Sequence, residues 1–541
     1  MHTQHDAKPD AILVEDIRLG QDDMKSQSSL GGPQLFQNDA VVLIPTPSPD
    51  PKDPLNLATW QKYSIIVIVG VYSAFAVLGT SGLGAVYPYV MAMYPPEEAT
   101  RATDLLTYPT LFMGIGNLFS MPLSVAVGRR PIFLASLVLL LASSIWCATA
   151  KSLTSHIAGR NIFSLAAGQS EALAPLIIEE IHFLHERSAK ISWFVGVQTV
   201  GTAVMFIATT AMVPTLGLKW WYGVIAIVTG VTLIAAFFLL VETRFDRPVD
   251  ADGGLVHLQF DQQGNVDPKG DETLLYQVTT RQNHVLQPEV FGPRTWSHDL
   301  RIFHFKPDWN STLTFYKETI YCLLIPNVFW LLLLNGTYLG LYVYQASSFA
   351  QVLMAPPHLF TSMQLGYVQL VQVVDCMILI PVLGYGADFL VKTMSRWRQG
   401  VFLPEYRLIP LAFPAACAII SAVLYGRGAQ HPENWPWMTI VGPYHLGYFA
   451  FIGCNVVSIA YCVDSFPRKA GPLLLVICAG RGFISFGLSY TTVPAIATLG
   501  YDGAMNIIAI VGGVLAIFLV PAFITGAFFR RLFTNRFFGG E

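Results

Sequence analysis

Twelve long apolar segments constrain this chain more strongly than any other feature of its sequence. Six of them precede a polar interval at 242–318, and six follow it. Each is long enough to cross a hydrocarbon core about 30 Å thick, where backbone polar groups find partners only within an α-helix or a closed barrel. The sequence therefore predicts an all-α membrane protein whose 12 transmembrane helices form two pseudo-symmetric six-helix bundles. The segments lie at 64–90, 104–127, 132–150, 155–181, 190–214, 220–241, 319–349, 361–387, 407–426, 437–462, 470–495 and 503–529.

The low charge content supports this assignment. Of the 541 residues, 12% are charged and 53% are hydrophobic, whereas soluble domains have about 25% charged residues. No basic cluster with interleaved aromatic residues appears, so the partner we expect is the lipid bilayer and not nucleic acid. The seven cysteines all fall within predicted spans and form no CxxC pair, which is typical of buried apolar side chains.

The polar ends and the central interval divide the chain into domains. The first 62 residues hold no apolar core of the kind that a signal peptide needs, and a Pro-rich run at 45–54 favours a solvated chain. Within the central loop, a short hairpin around Leu255–Val266 is the alternative to an irregular linker. We predict a disordered cytoplasmic tail at 1–62, a six-helix bundle at 63–241, a cytoplasmic loop at 242–318, a second bundle at 319–530 and a cytoplasmic tail at 531–541.

The distribution of basic residues predicts the orientation. Twenty-six of the 32 Lys and Arg residues fall on the side of the first tail and the central loop, and four fall on the other side. The remaining two, Arg160 and Arg481, lie within spans. Cytoplasmic loops of membrane proteins carry the excess of Lys and Arg. We therefore expect a multi-pass protein of the cell membrane with both termini in the cytoplasm.

A weak internal repeat relates the two halves. Pro122 lies near the end of the second span and Pro381 near the end of the eighth, and basic turns follow at 128–131 and 392–398. Many transporters are built from such repeats, with the substrate site near the membrane midplane where the repeats meet.

Ionisable residues within the spans are the candidates for chemistry. A charge at bilayer depth costs about 2.5–3.5 kcal/mol, so it usually faces a bundle interior or a wet cavity. On one continuous helix, Arg160 and Glu171 would share a face and lie about 16 Å apart along its axis. The alternative is that such groups only bond neighbouring helices together. The charged candidates are Arg160, Glu171, Asp375, His445 and Arg481, and the amides are Asn117, Gln198, Gln345, Gln369, Gln372 and Asn455.

Signatures of catalysis and metal binding are missing from the sequence. It contains no Walker loop, no HExxH and no GxSxG elbow on a strand. His182 and His185 have a spacing that suits a metal, but no third ligand accompanies them. Partly cationic side chains that stabilise a helix C-terminus explain them more simply. We expect no enzyme activity, no metal and no cofactor.

Five motifs, considered together, carry a family resemblance. They are PDPKDPLN at 49–56, MPLSVAVGRRP at 121–131, GRNIFSLAAGQSEALAP at 159–175, IPNVFW at 325–330 and VDSFPRKAG at 463–471. As a set they resemble the major facilitator superfamily, and within it the fungal drug:proton antiporter-like branch with twelve spans.

The loop motif of this family reads Gly-x3-Asp-Arg-x-Gly-Arg-Arg and latches the two halves together on the cytoplasmic side. Val125 stands at the place of the acid in the first half. The resemblance thus implies cytoplasmic gate loops with an incomplete first copy. The matching residues are Gly128, Arg129 and Arg130 in the first half, and Gly384 and Asp388 in the second.

The resemblance also implies a function. It is proton-coupled movement of a small organic molecule by a monomer, with export of a toxic compound or secondary metabolite across a fungal cell membrane expected. Arg160 matches the fourth-helix arginine that the family implicates in proton coupling, although the fifth-helix Gly-Pro motif of antiporters is not recognisable at 191–213. Glu171 is the expected proton site, and Arg481, His445 and Asn455 are further candidates for coupling or substrate binding.

Three alternatives remain open at this point. The nearest is an importer of a cationic nutrient, with Asp375 and Glu171 as counter-charges. A membrane-embedded enzyme would need a polar catalytic cluster near one interface, and a receptor would need a coupling surface.

Overall fold

The computed structural model describes residues 36–37, 40–245, 247, 256–260, 272–276, 286–398, 402–466 and 469–537. Sixteen α-helices dominate this described part of the chain and are numbered here in order. They are α1 (Thr59–Ser81), α2 (Asp104–Val127), α3 (Arg129–Thr149), α4 (Leu153–Ala167), α5 (Leu173–Glu180), α6 (Arg187–Leu216), α7 (Leu218–Leu239), α8 (Trp309–Leu323), α9 (Pro326–Met354), α10 (Ser362–Leu379), α11 (Gly386–Trp397), α12 (Ala412–Gln430), α13 (Met438–Ser465), α14 (Ala470–Tyr490), α15 (Thr492–Ile517) and α16 (Leu519–Phe537). Shorter helical turns lie at Pro54–Asn56, Gly82–Val86, Tyr87–Met91, Pro96–Glu98, Ala99–Ala102, Gly168–Ser170, Leu184–Glu186, Pro288–Phe291, Trp296–Asp299, Ile380–Tyr385 and Pro404–Leu411.

The helices form two bundles that meet along two long contacts. Helices α1–α7 make the first bundle and α9–α16 the second, with α2 packed on α14 and α6 packed on α10. Ten described helices are long and apolar enough to cross a membrane, and the bent pair α8–α9 adds an eleventh span. The broken pair α4–α5 occupies the place of the twelfth. The predicted all-α architecture with 12 spans in two bundles is thereby confirmed.

The span predicted at 155–181 is broken at Glu171, and the prediction of one continuous helix there is wrong. Helix α4 ends at Ala167, a tight turn covers Gly168–Ser170, and α5 starts at Leu173. Pro175 is the cause, because it has no N–H for the carbonyl of Glu171 four residues earlier and its ring clashes with that carbonyl. The freed carbonyl of Glu171 accepts a hydrogen bond from Cys478 Sγ of the second bundle at 2.9 Å. The break therefore turns Glu171 toward the interface between the bundles.

The span predicted at 319–349 starts later, at Pro326, after a sharp bend. Helices α8 and α9 meet at an angle of 84°, and Ile325 between them is extended, as a residue before proline prefers to be. Helix α8 packs on both α2 and α14, and the Tyr316 hydroxyl donates to the carbonyl of Leu118 at 2.9 Å. The end of the central interval, which the sequence assigns to a loop, is thus a helix that contacts both bundles.

Residues 41–57 form an ordered segment, which we call the N-terminal strap. Val42 and Ile44 are buried against Leu184 of the first bundle and against a group from the second. The carbonyl of Ile44 accepts a hydrogen bond from the backbone N–H of Leu184 at 2.7 Å. Asp53 is fully buried and pairs with Arg247 at 2.7 Å. The group from the second bundle consists of Val391, Phe402 and Tyr406.

The prediction of a disordered tail at 1–62 is therefore wrong for the strap, and residues 1–35 lie outside the described part of the chain. The apolar run Val41-Val-Leu-Ile44 has hydrophobic surface to bury, which the Pro-rich composition of its surroundings obscures. We call the side of the bundles with the strap, the turn at Gly128 and the end of α16 the termini face, and the other side the opposite face.

Ile44→Asp is expected to release the strap. Burying an Ile side chain contributes about 1.5–3 kcal/mol, and a carboxylate at this position would have to regain water. Hydrogen–deuterium exchange should accelerate at residues 41–57 and at the amide of Leu184, while the helices keep their protection. Leu43→Asp is the matched control, because Leu43 is only half-buried. Equal exchange in both variants would show that the strap is not held by this contact.

Among the described residues, two small hairpins accompany the helices. Strand β1 (Phe36–Gln37) pairs antiparallel with β2 (Ala40–Val41). Strand β3 (Val256–Phe260) pairs antiparallel with β4 (Glu272–Tyr276), with Val256 opposite Tyr276. The first strand of the hairpin predicted at Leu255–Val266 is therefore present, but its partner lies beyond the predicted range.

Candidate functional site

Glu171 and Arg481 form an ion pair that joins the two bundles at the centre of their interface. Arg481 Nη2 lies 3.2 Å from Glu171 Oε1, and the two side chains are 3% and 17% exposed, the arginine being the more buried. Arg481 Nη1 also donates to Asn455 Oδ1, and its guanidinium lies 5.5 Å from the centre of the Phe451 ring. The structure thus brings together three predicted site residues, one from the first bundle and two from the second. Neutralising Glu171 would remove an attraction that holds the bundles together here.

Asp375 and His445 form a second pair, which lies wholly within the second bundle. His445 Nδ1 is 3.0 Å from Asp375 Oδ2, and the histidine and aspartate side chains are 6% and 14% exposed. His445 Nε2 is buried without a hydrogen-bond partner among the described residues. The two predicted residues therefore act on one another, and the imidazole keeps one nitrogen for a further partner.

An aromatic wall lines the second bundle beside Asp375. Tyr342 lies at the centre of this wall, with ring centres 5.6 Å from Tyr444, 5.2 Å from Tyr448 and 6.2 Å from Phe451. Phe349 stacks on Tyr444 at 4.8 Å. Aromatic faces bind apolar surfaces, and they attract organic cations through the ring quadrupole.

Amides and hydroxyls provide this wall with polar atoms. Gln369 Nε2 donates to the Tyr444 hydroxyl at 3.1 Å, and Gln372 Nε2 donates to Gln369 Oε1 at 2.5 Å. Across the interface, the Thr199 and Tyr448 hydroxyls lie 2.7 Å apart. The wall therefore offers polar atoms to a ligand. It also contacts the first bundle directly, through the hydrogen bond between Tyr448 and Thr199.

Arg160 does not face Glu171, although the resemblance implies that it shares in proton coupling. Its residue is 1% exposed, and its guanidinium donates to the carbonyls of Leu105 at 3.0 Å, Gly79 at 2.9 Å and Thr80 at 2.7 Å. A further bond reaches the Tyr222 hydroxyl at 3.1 Å. The carbonyls lie at the ends of α1 and α2 on the opposite face and Tyr222 lies in the second turn of α7, so Arg160 ties three helices of the first bundle to α4.

The second predicted gate loop joins the bundles at the termini face. Asp388 Oδ2 accepts a hydrogen bond at 3.1 Å from the backbone N–H of Ala189, in the first turn of α6. Its Oδ1 is 2.6 Å from Arg407 Nη1, and Arg407 Nε is 2.6 Å from Asp464 Oδ2. Arg187 of the first bundle reaches Asp464 at 3.5 Å. We call Arg187, Asp388, Arg407 and Asp464 the latch.

A hydrogen bond to the backbone and a close approach of two elements complete this latch. Arg407 Nη2 donates to the carbonyl of Leu184, in the turn before α6, at 3.2 Å. A Cβ at Gly384 would lie 2.7 Å from Ser192 Oγ, so glycine is what allows α6 to approach this loop. The acid of the second loop motif therefore caps a helix of the other bundle, which is the favourable place for a carboxylate.

The first predicted gate loop is held by its own bundle and by the central interval, where the carbonyls of Asp299 and Arg301 accept hydrogen bonds from Arg130. Gly128 has φ 119° and separates α2 from α3, a conformation that glycine adopts without strain. Arg129 pairs with Glu180 at 2.7 Å, and Glu242 accepts from the backbone N–H groups of Arg129 at 2.9 Å and Arg130 at 3.2 Å. Burial raises the pKa of Glu242 above its ordinary value, while its hydrogen bonds to the backbone oppose the increase. Glu180 and Glu242 thus supply the acids that this loop lacks.

The pair His182 and His185 is not the cationic helix end that the sequence indicates. Burial lowers the pKa of His182 to about 4 and also lowers the pKa of His185. His182 Nδ1–H donates to the carbonyl of Ile178 at 2.7 Å. Both imidazoles are therefore neutral near pH 7.

The sequence profile of the Major Facilitator Superfamily matches residues 69–473. The chain belongs to the Major Facilitator Superfamily. It is 23% identical to Protein HOL1 of Saccharomyces cerevisiae over 92% of this chain and 91% of that protein. It is 21% identical to Efflux pump radE of Floropilus chiversii over 96% of this chain and 89% of that protein.

Solved structures of the superfamily share the fold. The proton:xylose symporter XylE of E. coli superimposes with a TM-score of 0.55 at 14% identity, over 86% of this chain and 96% of that one. The human organic anion transporter MFSD10 gives a TM-score of 0.53 at 14% identity, over 85% of this chain and 99% of that one. The protein is thus a Major Facilitator Superfamily transporter with the usual fold.

Sequence reasoning missed several buried residues of this transporter, in the second bundle and in the first. Tyr444, Tyr448 and Phe451 are spaced so that they share one face of α13, a pattern that could have revealed the wall. His156 lies between two hydroxyls of the first bundle, 2.9 Å from that of Tyr94 and 2.7 Å from that of Tyr222. Its place at the very start of the span predicted at 155–181 gave no sign that it is buried.

Proposed function

We propose that this protein is a proton-coupled secondary transporter that exports a small organic molecule by alternating access between its two bundles. The observation that supports this proposal is the Glu171–Arg481 ion pair, because it links the bundles and disappears when Glu171 binds a proton. Proton binding at Glu171 then shifts the balance between two states of the transporter. A ligand shifts such a balance only through its different affinity for the two states.

Export is the proposed direction because relatives of this chain include proteins named as efflux pumps, such as that of Floropilus chiversii. The termini face is proposed to be cytoplasmic, since most Lys and Arg residues lie on that side. The proposal includes the cell membrane as the location and a monomer as the working unit.

Glu171→Gln is expected to abolish gradient-driven flux, because the amide neither pairs ionically with Arg481 nor exchanges a proton. A panel of fluorescent organic compounds is first screened for altered accumulation in cells that express the protein. The compound with the largest change is then loaded into proteoliposomes, and its flux is followed after an imposed pH jump. Glu433→Gln is the control, because Glu433 lies in an exposed loop and its side chain is 61% exposed. If Glu171→Gln kept wild-type gradient-driven flux, the proton site would lie elsewhere.

A second candidate function, import of a cationic nutrient, is favoured by Asp375. Its carboxylate lies beside the aromatic wall, and an acid among aromatic faces suits a small organic cation. The direction of accumulation separates the two functions: expressing cells would hold less of an exported probe and more of an imported one than cells without the protein.

A further inference from the structure

Glu179 is a buried acid on α5 between the central ion pair and the latch. It lies in the last turn of α5, eight residues after Glu171 along the chain. Its residue is 3% exposed, and neither carboxylate oxygen has a hydrogen-bond partner among the described residues. A buried carboxylate without hydrogen bonds is costly, so such a group favours its neutral form. The predicted site residues do not include it.

Charged groups from several elements surround Glu179. Arg187 and Arg407 attract its negative charge, while Glu180 and Asp464 repel it. The thiols of Cys462 on α13 and Cys478 on α14 also lie within electrostatic range. Lys62 and Lys190 act on the neighbouring His182. Glu179 thus shares Arg187 with the latch, in which Arg187 already lies 3.5 Å from Asp464.

We propose that Glu179 is a second proton-binding site of this transporter, and that its protonation permits the latch to close. When the carboxyl group carries its proton, Arg187 is free to bind Asp464 across the interface. When the proton leaves, the Glu179 carboxylate competes with Asp464 for Arg187 and needs water, which enters when the bundles separate at the termini face. The proton therefore binds more tightly to the closed state than to the open one.

This linkage fixes the direction of the pH effect. A group that holds its proton more tightly in the closed state stabilises that state at low pH, and the stabilisation is lost as the pH rises. One proton can shift the ratio of closed to open states by up to about tenfold per pH unit. The proposal deepens the proposed proton-coupled transport, since it adds a site that couples a proton to opening of one face.

The test measures the opening of the termini face without any substrate. Thr59→Cys in α1 and Trp397→Cys in α11 place spin labels on exposed residues of the two bundles, and the seven native cysteines are buried. Distances between the labels are measured by electron spin resonance between pH 5 and pH 9 in the full-length protein in lipid nanodiscs. We expect the longer, open distance to gain population as the pH rises.

Glu179→Gln should abolish the gain of the longer distance as the pH rises, because the amide cannot ionise. Asp464→Asn, which removes the competing acid, should move the transition to lower pH. A wild-type transition that Glu179→Gln leaves unchanged would overturn the proposal, and so would a wild type with one distance throughout. Size-exclusion chromatography of each variant confirms that it is folded. The flux assay with Glu171→Gln tests the transport function separately, so either proposal can fail while the other stands.

Discussion

Arg407→Met is expected to lower the free energy of unfolding by about 3–5 kcal/mol, the usual result of removing one partner from a buried ion pair. Arg407 is 2% exposed and lies 2.6 Å from both Asp388 and Asp464. Methionine fills much of the same volume, so the loss would arise from the two carboxylates that remain buried without the guanidinium between them. The midpoint of thermal unfolding, followed by fluorescence-detected size-exclusion chromatography in detergent, measures the change.

The matched control is Arg427→Met, because Arg427 is exposed at the end of α12 on the opposite face. Surface substitutions usually change stability by less than about 0.5 kcal/mol. In the Arg407→Met background, Asp388→Asn combined with Asp464→Asn should recover part of the lost stability by removing both charges. An Arg407→Met protein as stable as the Arg427→Met control would mean that the latch does not hold the bundles together.

The architecture was accessible from the sequence because hydrophobicity along the chain determines it. Each span has to be apolar over about twenty residues to cross the membrane, and that requirement is visible without any knowledge of neighbours. The division into two halves follows from the six apolar segments on each side of the polar interval. The turn at Gly128 follows from the short basic run between two of these segments. The ends of the spans were less accessible, since residues such as Pro326 decide them locally.

The pairing of the charged side chains was not accessible, because it depends on which helix faces converge. Reading the fourth span as one helix placed Arg160 and Glu171 on the same face, whereas the break before Pro175 directs Glu171 to Arg481. Pro175 was available as a signal, since a proline four residues after a charged residue frees the carbonyl of that residue.

The partners of Asp388 in the latch were hidden for a different reason, although the gate loop that contains Asp388 was predicted. Arg187 and Arg407 lie next to span ends, where basic residues are expected on grounds of membrane orientation alone. Such residues count toward topology whether they face water or a buried acid. The composition of the chain cannot distinguish these two roles, and only the packing of α6 against the Gly384 loop does so.

Arg160→Met is expected to destabilise the first bundle by more than about 3 kcal/mol, and not to alter proton coupling selectively. Hydrogen bonds to charged groups contribute about 1.5–3 kcal/mol each, and Arg160 donates three of them to backbone carbonyls at Gly79, Thr80 and Leu105. These carbonyls belong to fixed helix ends, so they cannot turn toward new donors. Thermal unfolding and gradient-driven flux, both measured on the same preparation, provide the two readouts.

Arg481→Met is the matched comparison, since Arg481 is 2% exposed and Arg160 is 1% exposed. Its main partners are the side chains of Glu171 and Asn455, which are not fixed as the backbone carbonyls around Arg160 are. Arg481→Met should therefore keep most of its thermal stability and lose flux, whereas Arg160→Met should unfold at a clearly lower temperature. An Arg160→Met protein with wild-type thermal stability but uncoupled flux would instead assign Arg160 to the proton pathway, because its bonds to the backbone would then contribute little to holding the bundle together.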